Sequence, residues 1–391
     1  MGAPPRKVYL IAGESSGDKL GAALMTGLKQ LTNPVFSGVG GPLMQAEGME
    51  SLFPMDELSI MGLAEVLPKY FHLKRRIAQT AQAVLVAKPD VLFTIDSPDF
   101  CLRVAKLVKA QSNIRIVHYV APSVWAWRPG RAAKMARVVD HVLALLPFEP
   151  PYMQAAGMDC DFVGHPVVAE PLASEAEAQA FRAHHGIGEA PLLLALPGSR
   201  RGEVSRLAPR FGAALAQVMQ AQPDLRIVVP TTPNVTALVR DLTASWPGAP
   251  IILDLHSMNS IAYHAEKRAA FRAADLALAA SGTVSLELAA TATPMVIAYD
   301  MNPISRVLIG RMMKIDTVTL VNLVSDTRAV PECLGRNCTP ETIAAALKDV
   351  MRSPDLQQEA MRLTMERLGA GGPPPGLRAA QAILEHLPAS T

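Results

Sequence analysis

The chain has 391 residues, 50% of them hydrophobic, and a formal net charge of only +2. This length predicts two or three domains with a large buried core, and the small net charge argues against binding of nucleic acid by the molecule as a whole. Uncharged apolar runs are shorter than the roughly 18 residues that a membrane-spanning helix needs. The four cysteines are scattered and the N-terminus lacks the pattern of an export leader, so we expect a reduced, cytoplasmic protein. No Cys/His spacing in the sequence indicates a metal site.

In the first half of the chain, apolar runs alternate with helical patterns. The predicted strands are Val8–Ile11, Val35–Val39, Val91–Ile95, Ile114–Val120, Val138–Leu146 and Cys160–Val163. Strands separated by helices predict parallel βαβ units, in which ligands bind beyond the carboxyl ends of the strands. Three loops fall at such ends: the glycine-rich turn 13–18, the turn at Asp96 and the loop 122–128.

Asp96 directly follows the third predicted strand. Ser97 fits the N-cap of the next helix, Pro98 its first position and Asp99 its first turn. This leaves the Asp96 carboxylate for the crevice, where it can act as a general base. A helix cap is the alternative role for this residue.

A basic stripe follows the first two tryptophans. Trp125 and Trp127 precede Arg128, Arg131, Lys134 and Arg137, which are spaced three residues apart. Such a stripe is either a solvated helix face or, beside two indoles, part of a site for an anionic sugar phosphate.

Residues 61–76 mix large apolar side chains with basic ones. Tyr70 and Phe71 stand next to Lys74, Arg75 and Arg76. This pattern is typical of an interfacial helix on an anionic membrane. A helix packed on the sheet explains the apolar stripe equally well.

The second half repeats the alternation after a connection near Val167 to Glu175. Its predicted strands are Leu192–Leu196, Ile227–Val229, Ile251–Leu253, Leu276–Ala279 and Met295–Ala298. Gly198, Ser199 and Arg200 form a turn between a strand and a helix, where backbone N–H groups and a guanidinium can bind phosphate. An ordinary βα turn is the alternative.

A second glycine turn, Ser281–Gly282–Thr283, follows a later strand of this half. Thr283 and Glu287 share one helix face, so one can meet a phosphate while the other accepts hydrogen bonds from ribose hydroxyls. A solvated Glu287 is the alternative. After a helix start at Thr339, residues 371–376 break the tail before a final helix over Leu377–Leu387. We therefore expect domains at 1–168 and 169–360, and a tail at 361–391 that recrosses to the N-terminal domain.

Six segments carry a resemblance to a known family. They are Ala12–Asp18, Gly41–Gly48, Ile95–Phe100, Pro122–Arg128, Pro197–Arg200 and Ala280–Thr283. In this order they resemble the lipid-A-disaccharide synthases, bacterial glycosyltransferases of the GT-B fold. The resemblance implies an α/β chain with two Rossmann-type parallel-sheet domains facing a cleft.

The resemblance also implies a reaction and the residues that serve it. UDP-2,3-diacylglucosamine would donate its sugar to 2,3-diacylglucosamine 1-phosphate with inversion, giving the β-1,6 lipid A disaccharide and UDP without metal or cofactor. Asp96 would be the base. The nucleotide side would comprise Gly198, Ser199, Arg200, Ser281, Gly282, Thr283, Glu287 and Asn322, and the acceptor side Glu14, Ser16, Gly17, Asp18, Trp125 and Arg128. Val321 stands where the family usually has Pro, which puts the shape of the Asn322 loop in question.

The family is peripheral to the cytoplasmic face of the inner membrane. This implies a membrane contact through Tyr70, Phe71, Lys74, Arg75 and Arg76, and it leaves a homodimer open. Within the fold, another UDP-sugar transferase or a UDP-sugar epimerase is the rival, and an epimerase needs no surface for acyl chains. A two-lobed solute-binding protein is the rival from another class.

Overall fold

The structure is a computed structural model that describes residues 5–58, 63–126, 130–255, 259–301 and 315–387, with the backbone only at 63–70. The chain divides into two compact units. The first unit comprises Met1–Ala169 and Gly371–Thr391, and the second comprises Glu170–Ala370. The chain thus returns to the first unit after residue 370, later than the predicted tail boundary at 361.

Twelve strands are present in the described residues. They are β1 (Arg6–Ala12), β2 (Pro34–Val39), β3 (Val91–Ile95), β4 (Arg115–Tyr119), β5 (His141–Ala144), β6 (Asp159–Phe162), β7 (Leu192–Leu196), β8 (Arg226–Pro230), β9 (Ile251–Leu253), β10 (Leu276–Ala280), β11 (Met295–Tyr299) and β12 (Glu332–Leu334). Each strand predicted from an apolar run is present, although the run from Val138 to Leu146 yields only the short β5. Strand β12 was not predicted, because it has only three residues and begins with a charged one.

The α-helices of the described residues connect these strands. They are α1 (Ser15–Leu31), α2 (Pro42–Ala46), α3 (Leu63–Ala87), α4 (Pro98–Lys109), α5 (Gly130–Met135), α6 (Pro150–Gln154), α7 (Glu175–His184), α8 (Arg201–Met219), α9 (Thr236–Thr243), α10 (Ser260–Ala273), α11 (Val284–Ala290), α12 (Leu320–Ser325), α13 (Pro340–Arg352), α14 (Gln358–Arg367) and α15 (Pro375–His386). In the ranges given above, no helix has both the length and the apolar character required to cross a bilayer.

Each unit has one six-stranded sheet in which every pairing is parallel. The strand order is β2-β1-β3-β4-β5-β6 in the first unit and β12-β11-β10-β7-β8-β9 in the second. Several strands are buried along their whole length, as expected for a sheet covered by helices on both faces. The predicted α/β class with two Rossmann-type parallel sheets is confirmed.

Alternating residues of β1 show how the first sheet is covered. Leu10 packs in a cluster with Leu24 of α1 and Ile383 of α15. Its neighbour Ile11 belongs to a second cluster, with Val104 of α4, because successive strand side chains point to opposite faces. The last described helix is therefore part of the core of the first unit.

Glycine permits the close approach of α15 to α1. A Cβ atom on Gly376 would lie 2.2 Å from the carbonyl oxygen of Ala23, and one on Gly27 would lie 2.5 Å from the carbonyl oxygen of Gly376. No side chain fits at these distances. The glycine–proline segment that was predicted to break the tail thus also forms a helix–helix contact.

Candidate active site

The first candidate site lies where the chain reverses its direction of travel across the first sheet. From β1 the chain moves outward to β2, then returns to place β3 on the other side of β1. Ala12 pairs with Ile95, so both strands end at the same level. Ligands of open α/β sheets bind in the crevice beyond such a pair of carboxyl ends. The turn after β1 and Asp96 after β3 both lie at this position.

Asp96 sits in a strained backbone segment. Its φ is 51° and that of Ser97 is 41°, so two successive non-glycine residues adopt the left-handed region. Such conformations cost about 1–3 kcal/mol each and cluster at functional sites. The N–H of Asp96 donates to the carbonyl oxygen of Tyr119 at 3.0 Å, which ties the strained turn to the neighbouring strand.

The predicted helix start after Asp96 is present, but its cap differs from the expectation. Ser97 occupies the N-cap position and Pro98 follows it, yet the Ser97 side chain makes no capping hydrogen bond. An N-cap residue normally has extended backbone, whereas Ser97 is left-handed. A Cβ atom on Gly13 would lie 2.5 Å from Oγ of Ser97, so the two loops are in close contact.

The turn after β1 contributes Ser16 to the surroundings of Asp96. Oγ of Ser16 donates a hydrogen bond to Oδ2 of Asp96 at 3.4 Å. Glu14 is exposed at the N-cap of α1. Gly17 is buried, and a Cβ atom there would lie 3.3 Å from the carbonyl oxygen of Ile95, so it serves close packing. In this turn, the side chain of Ser16 contacts Asp96.

Asp18 has a structural role, and its prediction as an acceptor-binding residue is corrected here. Its side chain is only 3% exposed. Oδ1 accepts hydrogen bonds from the N–H groups of Gly41 and Met44 at 2.8 and 3.0 Å, and Oδ2 accepts one from Leu43 at 3.0 Å. The carboxylate therefore fixes the start of α2 and is not available to a substrate.

Trp125 is held by a buried carboxyl group, Glu149, that is not among the predicted site residues. Nε1 of Trp125 donates to Oε1 of Glu149 at 3.3 Å, and the N–H groups of Leu145 and Leu146 donate to Oε2. Burial raises the pKa of Glu149 to about 7, against the effect of these hydrogen bonds. The Trp125 ring also meets that of Phe148 edge-on, at 5.1 Å between centroids. Glu149 follows β5, and that position beyond a strand end is the signal that marks it.

The second candidate site repeats the arrangement in the other unit. The chain places β8 and β9 on one side of β7, then β10 on the other side. Leu196 pairs with Ala279, so the turn 198–200 and the turn 281–283 follow neighbouring parallel strands at the same edge. The two glycine turns predicted as ligand loops are thus adjacent.

The turn after β7 requires glycine at its centre. Gly198 has a φ of 114°, and a Cβ atom there would lie 2.8 Å from Cβ of Glu203. The side chain of Asn234, beyond β8, donates to the carbonyl oxygen of Ser199 at 2.9 Å. Arg200 is the N-cap of α8, and its side chain is 77% exposed while it contacts Glu203 at 3.0 Å. An exposed guanidinium beside the first N–H groups of a long helix suits an anionic ligand.

The turn after β10 is more open. Gly282 and Thr283 are exposed, and a Cβ atom on Gly282 would have no neighbour within 4 Å. Thr283 is the N-cap of α11, and Glu287 follows one turn later. The Glu287 carboxylate pairs with Nζ of Lys267 at 2.6 Å. The structure therefore gives Glu287 a defined partner at this edge.

Asn322, predicted for the nucleotide side, has hydrogen-bond partners within the protein. It is buried, and its amide donates to Oγ1 of Thr317 and to the carbonyl oxygen of Val330, while its Oδ1 accepts from the N–H of Val330. These partners lie in the segments before and after α12, the helix that contains Asn322. Val321 beside it is also buried, and the role of Asn322 on the nucleotide side stays a prediction.

The predicted basic and membrane-facing residues are only partly described. Arg128 and Trp127 lie outside the described residues, as does the side chain of Tyr70. Farther along the predicted basic stripe, the described residues Arg131, Lys134 and Arg137 are exposed. In α3, Phe71 is 80% exposed, and Lys74 and Arg75 are exposed beside it.

Arg76 stabilises the fold, and its prediction as a membrane contact is corrected. Its guanidinium makes hydrogen bonds to both carboxylate oxygens of Glu57, at 2.7 and 2.8 Å, and lies over the Phe53 ring, 4.4 Å from the centroid. The Arg76 hydrogen bond lowers the pKa of the Glu57 carboxyl group. A residue held in this way is not available to lipid headgroups.

The fold matches solved structures with low sequence identity. The crystal structure of UDP-GlcNAc 2-epimerase from Neisseria meningitidis bound to UDP-GlcNAc superimposes with a TM-score of 0.65 at 13% identity, covering 97% of this chain and 99% of that one. Acinetobacter baumannii MurG gives a TM-score of 0.56 at 15% identity, covering 98% and 99%. At these identities the likeness concerns the fold, which is that of the GT-B class.

Sequence comparison is more specific. The family model described as Lipid-A-disaccharide synthetase matches residues 8–372. The lipid-A-disaccharide synthase of Ruegeria pomeroyi is 67% identical over 98% of this chain and 96% of its own length, and that of Rhodospirillum centenum is 48% identical over 97% and 94%. The chain therefore belongs to the lipid-A-disaccharide synthase family of glycosyltransferases.

Proposed function

We propose that this protein joins UDP-2,3-diacylglucosamine to 2,3-diacylglucosamine 1-phosphate, forming the β-1,6 lipid A disaccharide and releasing UDP. The observation that carries the proposal is the position of Asp96 at the strand reversal of the first sheet, in a chain of this family. An inverting transfer needs one base on the acceptor hydroxyl, and Asp96 is a carboxylate with strained, fixed backbone at that place.

The second unit is the proposed nucleotide side. A diphosphate would meet the N–H groups of the turn 198–200 and the guanidinium of Arg200, where the start of α8 adds its positive dipole end. The neighbouring turn at Ser281, Gly282 and Thr283 extends this edge. Glu287 would accept hydrogen bonds from the ribose hydroxyls, with Lys267 holding its carboxylate. The same donors would stabilise the negative charge that develops on departing UDP.

The first unit is the proposed acceptor side. Asp96 would take the proton of the acceptor 6-hydroxyl while that oxygen attacks the anomeric carbon from the face opposite UDP, which inverts the configuration. Ser16 donates to Asp96 and so orients the carboxylate. Glu14 and Trp125 would line the acceptor path, and Glu149 holds the Trp125 indole.

Acylated substrates imply a bilayer surface, and α3 is the proposed contact. Phe71 can enter the headgroup boundary while Lys74 and Arg75 meet anionic phosphates. We place the protein at the cytoplasmic face of the inner membrane as a peripheral protein. The exposed position of these three side chains supports this placement.

Incubation of the purified protein with both sugar substrates tests the proposal. We expect the disaccharide and UDP in equal amounts, and no product when either substrate is omitted. A parallel reaction with UDP-GlcNAc alone tests the epimerase rival. Conversion of UDP-GlcNAc to an epimer, together with no disaccharide, would overturn the proposed function.

A further inference from the structure

In the second unit, one guanidinium near the start of α8 keeps its two terminal nitrogens available. Arg206 lies in the second turn of α8 and is half-buried. Its Nε donates a hydrogen bond to the carbonyl oxygen of Asp300 at 3.3 Å. In the part of the chain that the structure describes, no group bonds Nη1 or Nη2 of Arg206. We call this pair of nitrogens the open edge of Arg206.

The open edge of Arg206 lies beside the first turn of α8. Side chains on a helix point back toward its N-terminus. A Cβ atom on Gly202 would lie 3.6 Å from Nη1 and 3.8 Å from Nη2 of Arg206. Gly202 is exposed and has no side chain that could cover these nitrogens. The open edge is therefore accessible next to the turn 198–200, which precedes the helix.

The bond to Asp300 carries the guanidinium across the end of β10. Helix α8 follows β7, Asp300 follows β11, and β10 lies between these two strands in the sheet. Val204 and Leu207 of α8 pack in one core cluster with Leu278 of β10, so the helix covers this strand. Arg206 therefore belongs to the same edge of the sheet as the two glycine turns.

The charges at this edge favour an anionic ligand. Arg200 pairs with Glu203 at 3.0 Å, so the protein itself already neutralises part of its charge. The carboxylate of Asp300 pairs with Arg210 at 2.9 Å. Among the described residues, no carboxylate pairs with Arg206. A diphosphate carries more negative charge than one guanidinium balances, and Arg206 offers a second one.

Tyr299, the last residue of β11, responds to the same charges. Burial raises the pKa of its phenol and the Glu203 carboxylate adds to this rise, whereas the guanidinium groups of Arg206 and Arg200 oppose it. Electrostatic effects of this kind weaken with distance. The side chains that follow β7 therefore gather near the end of β11.

We propose that Arg206 is a further binding residue of the nucleotide side, whose open edge holds the diphosphate of the UDP-sugar together with Arg200. A planar guanidinium edge meets two phosphate oxygens through parallel hydrogen bonds. The bond from Nε to the Asp300 carbonyl oxygen fixes the plane of Arg206 before a ligand arrives, which lowers the entropy lost on binding. The inference rests on the proposed function, because it adds a residue to the proposed nucleotide side.

Calorimetric titrations with UDP and with uridine test the inference, since these two ligands differ only in the diphosphate. Arg206→Gln removes the charge and the open edge. We expect this variant to bind UDP about 10- to 100-fold more weakly than wild type and to bind uridine equally well. The matched control is Arg352→Gln, which removes one charge from the exposed last residue of α13 and should keep the wild-type affinity for UDP.

The alternative is a purely structural Arg206 that only ties α8 to the end of β11. In that case Arg206→Gln would weaken the binding of UDP and of uridine by the same factor, or would change neither affinity. Either result would overturn the inference. Wild-type protein that binds neither ligand would instead overturn the proposed nucleotide side as a whole, and the inference with it.

Circular dichroism checks the folding of each variant. If Arg206→Gln does not fold, Gly202→Val replaces it, because a side chain at that position covers the open edge at ordinary contact distance while Arg206 keeps its bond to Asp300. Folded Gly202→Val should lose affinity for UDP and keep its affinity for uridine. An unchanged affinity for UDP in this variant would contradict the role of Arg206.

Discussion

Oγ of Ser16 lies 3.4 Å from Oδ2 of Asp96, although 80 positions separate the two residues in the chain. The contact exists because β1 and β3 are neighbours in the sheet while β2 lies on the outer side of β1. The turn after β1 therefore faces the turn after β3. The Ser16 hydroxyl is therefore a hydrogen-bond donor that can orient the Asp96 carboxylate.

The turn after β7 should not tolerate a side chain at Gly198. In Gly198→Ala the new Cβ would meet Glu203 in a backbone conformation that costs a non-glycine residue roughly 1–2 kcal/mol. We expect a lower Tm and weaker UDP binding by calorimetry. Gly282→Ala is the matched control for stability because a Cβ atom there has open space. Equal melting of wild type and Gly198→Ala would show that the turn is not constrained as described.

Glu287 should contribute to UDP affinity. Glu287→Ala removes the proposed hydrogen bonds to ribose, and loss of a charged hydrogen bond costs about 1.5–3 kcal/mol. Calorimetric titration with UDP should show the loss. Glu266→Ala is the control, since Glu266 is a carboxylate on α10 that pairs with His185 and not with Lys267. If both variants bind UDP as wild type does, Glu287 is a solvated residue of the first turn of α11.

Membrane binding should depend on Lys74 and Arg75. Replacing both with Ser should reduce cosedimentation with anionic vesicles, because each basic residue near the surface contributes about 1 kcal/mol. Wild-type binding should fall as salt rises. The control Arg103→Ser with Lys106→Ser removes the same charge from exposed positions of α4. Equal losses in the two double variants would indicate a dependence on net charge alone.

Arg76, unlike Lys74 and Arg75, should contribute to the stability of the fold. Arg76→Ser leaves Glu57 without its guanidinium partner, so we expect the Tm to fall. For this reason Arg76 is kept intact in the vesicle experiment. A Tm equal to that of wild type would contradict the structural role assigned to Arg76.

Stability should depend on pH through Glu149. Its pKa is about 7 in the folded chain and 4.5 in its ordinary range, so between these values the folded chain keeps a proton that the unfolded chain has released. The contribution of this proton to the free energy of unfolding is therefore fully present below pH 4.5. It is lost as the pH rises through 7, which lowers the free energy of unfolding by on the order of 3 kcal/mol. Thermal melts across this window should show a smaller pH dependence for Glu149→Gln. Glu189→Gln, at an exposed carboxyl group, should follow wild type; parallel curves for all three proteins would reject the role of Glu149.

Most strands could be predicted from the sequence, because parallel strands buried on both faces are nearly continuous apolar runs. Val91–Ile95 and Leu192–Leu196 have the predicted bounds for this reason. The positions of Asp96 and Gly198 followed from the rule that ligand loops come after strands. The short strand β12 has no such run, and its place depends on pairing with β11.

The sequence did not predict side-chain partners that come from distant segments of the chain. The turn residue Asp18 looked like a ligand because nothing in the sequence places the start of α2 over it. Arg76 was grouped with Lys74 and Arg75 by spacing, whereas its partner Glu57 precedes the helix.

The rate of disaccharide formation by Asp96→Asn tests the central claim most directly. Asn is among the non-glycine residues that accept the left-handed conformation, so the turn should persist while the base is removed. We predict that kcat falls roughly 10²–10⁴-fold and that UDP affinity is unchanged. Asp99→Asn, at an exposed residue in the first turn of α4, should be as active as wild type. A kcat for Asp96→Asn within a few fold of wild type would contradict the assignment of Asp96 as the base.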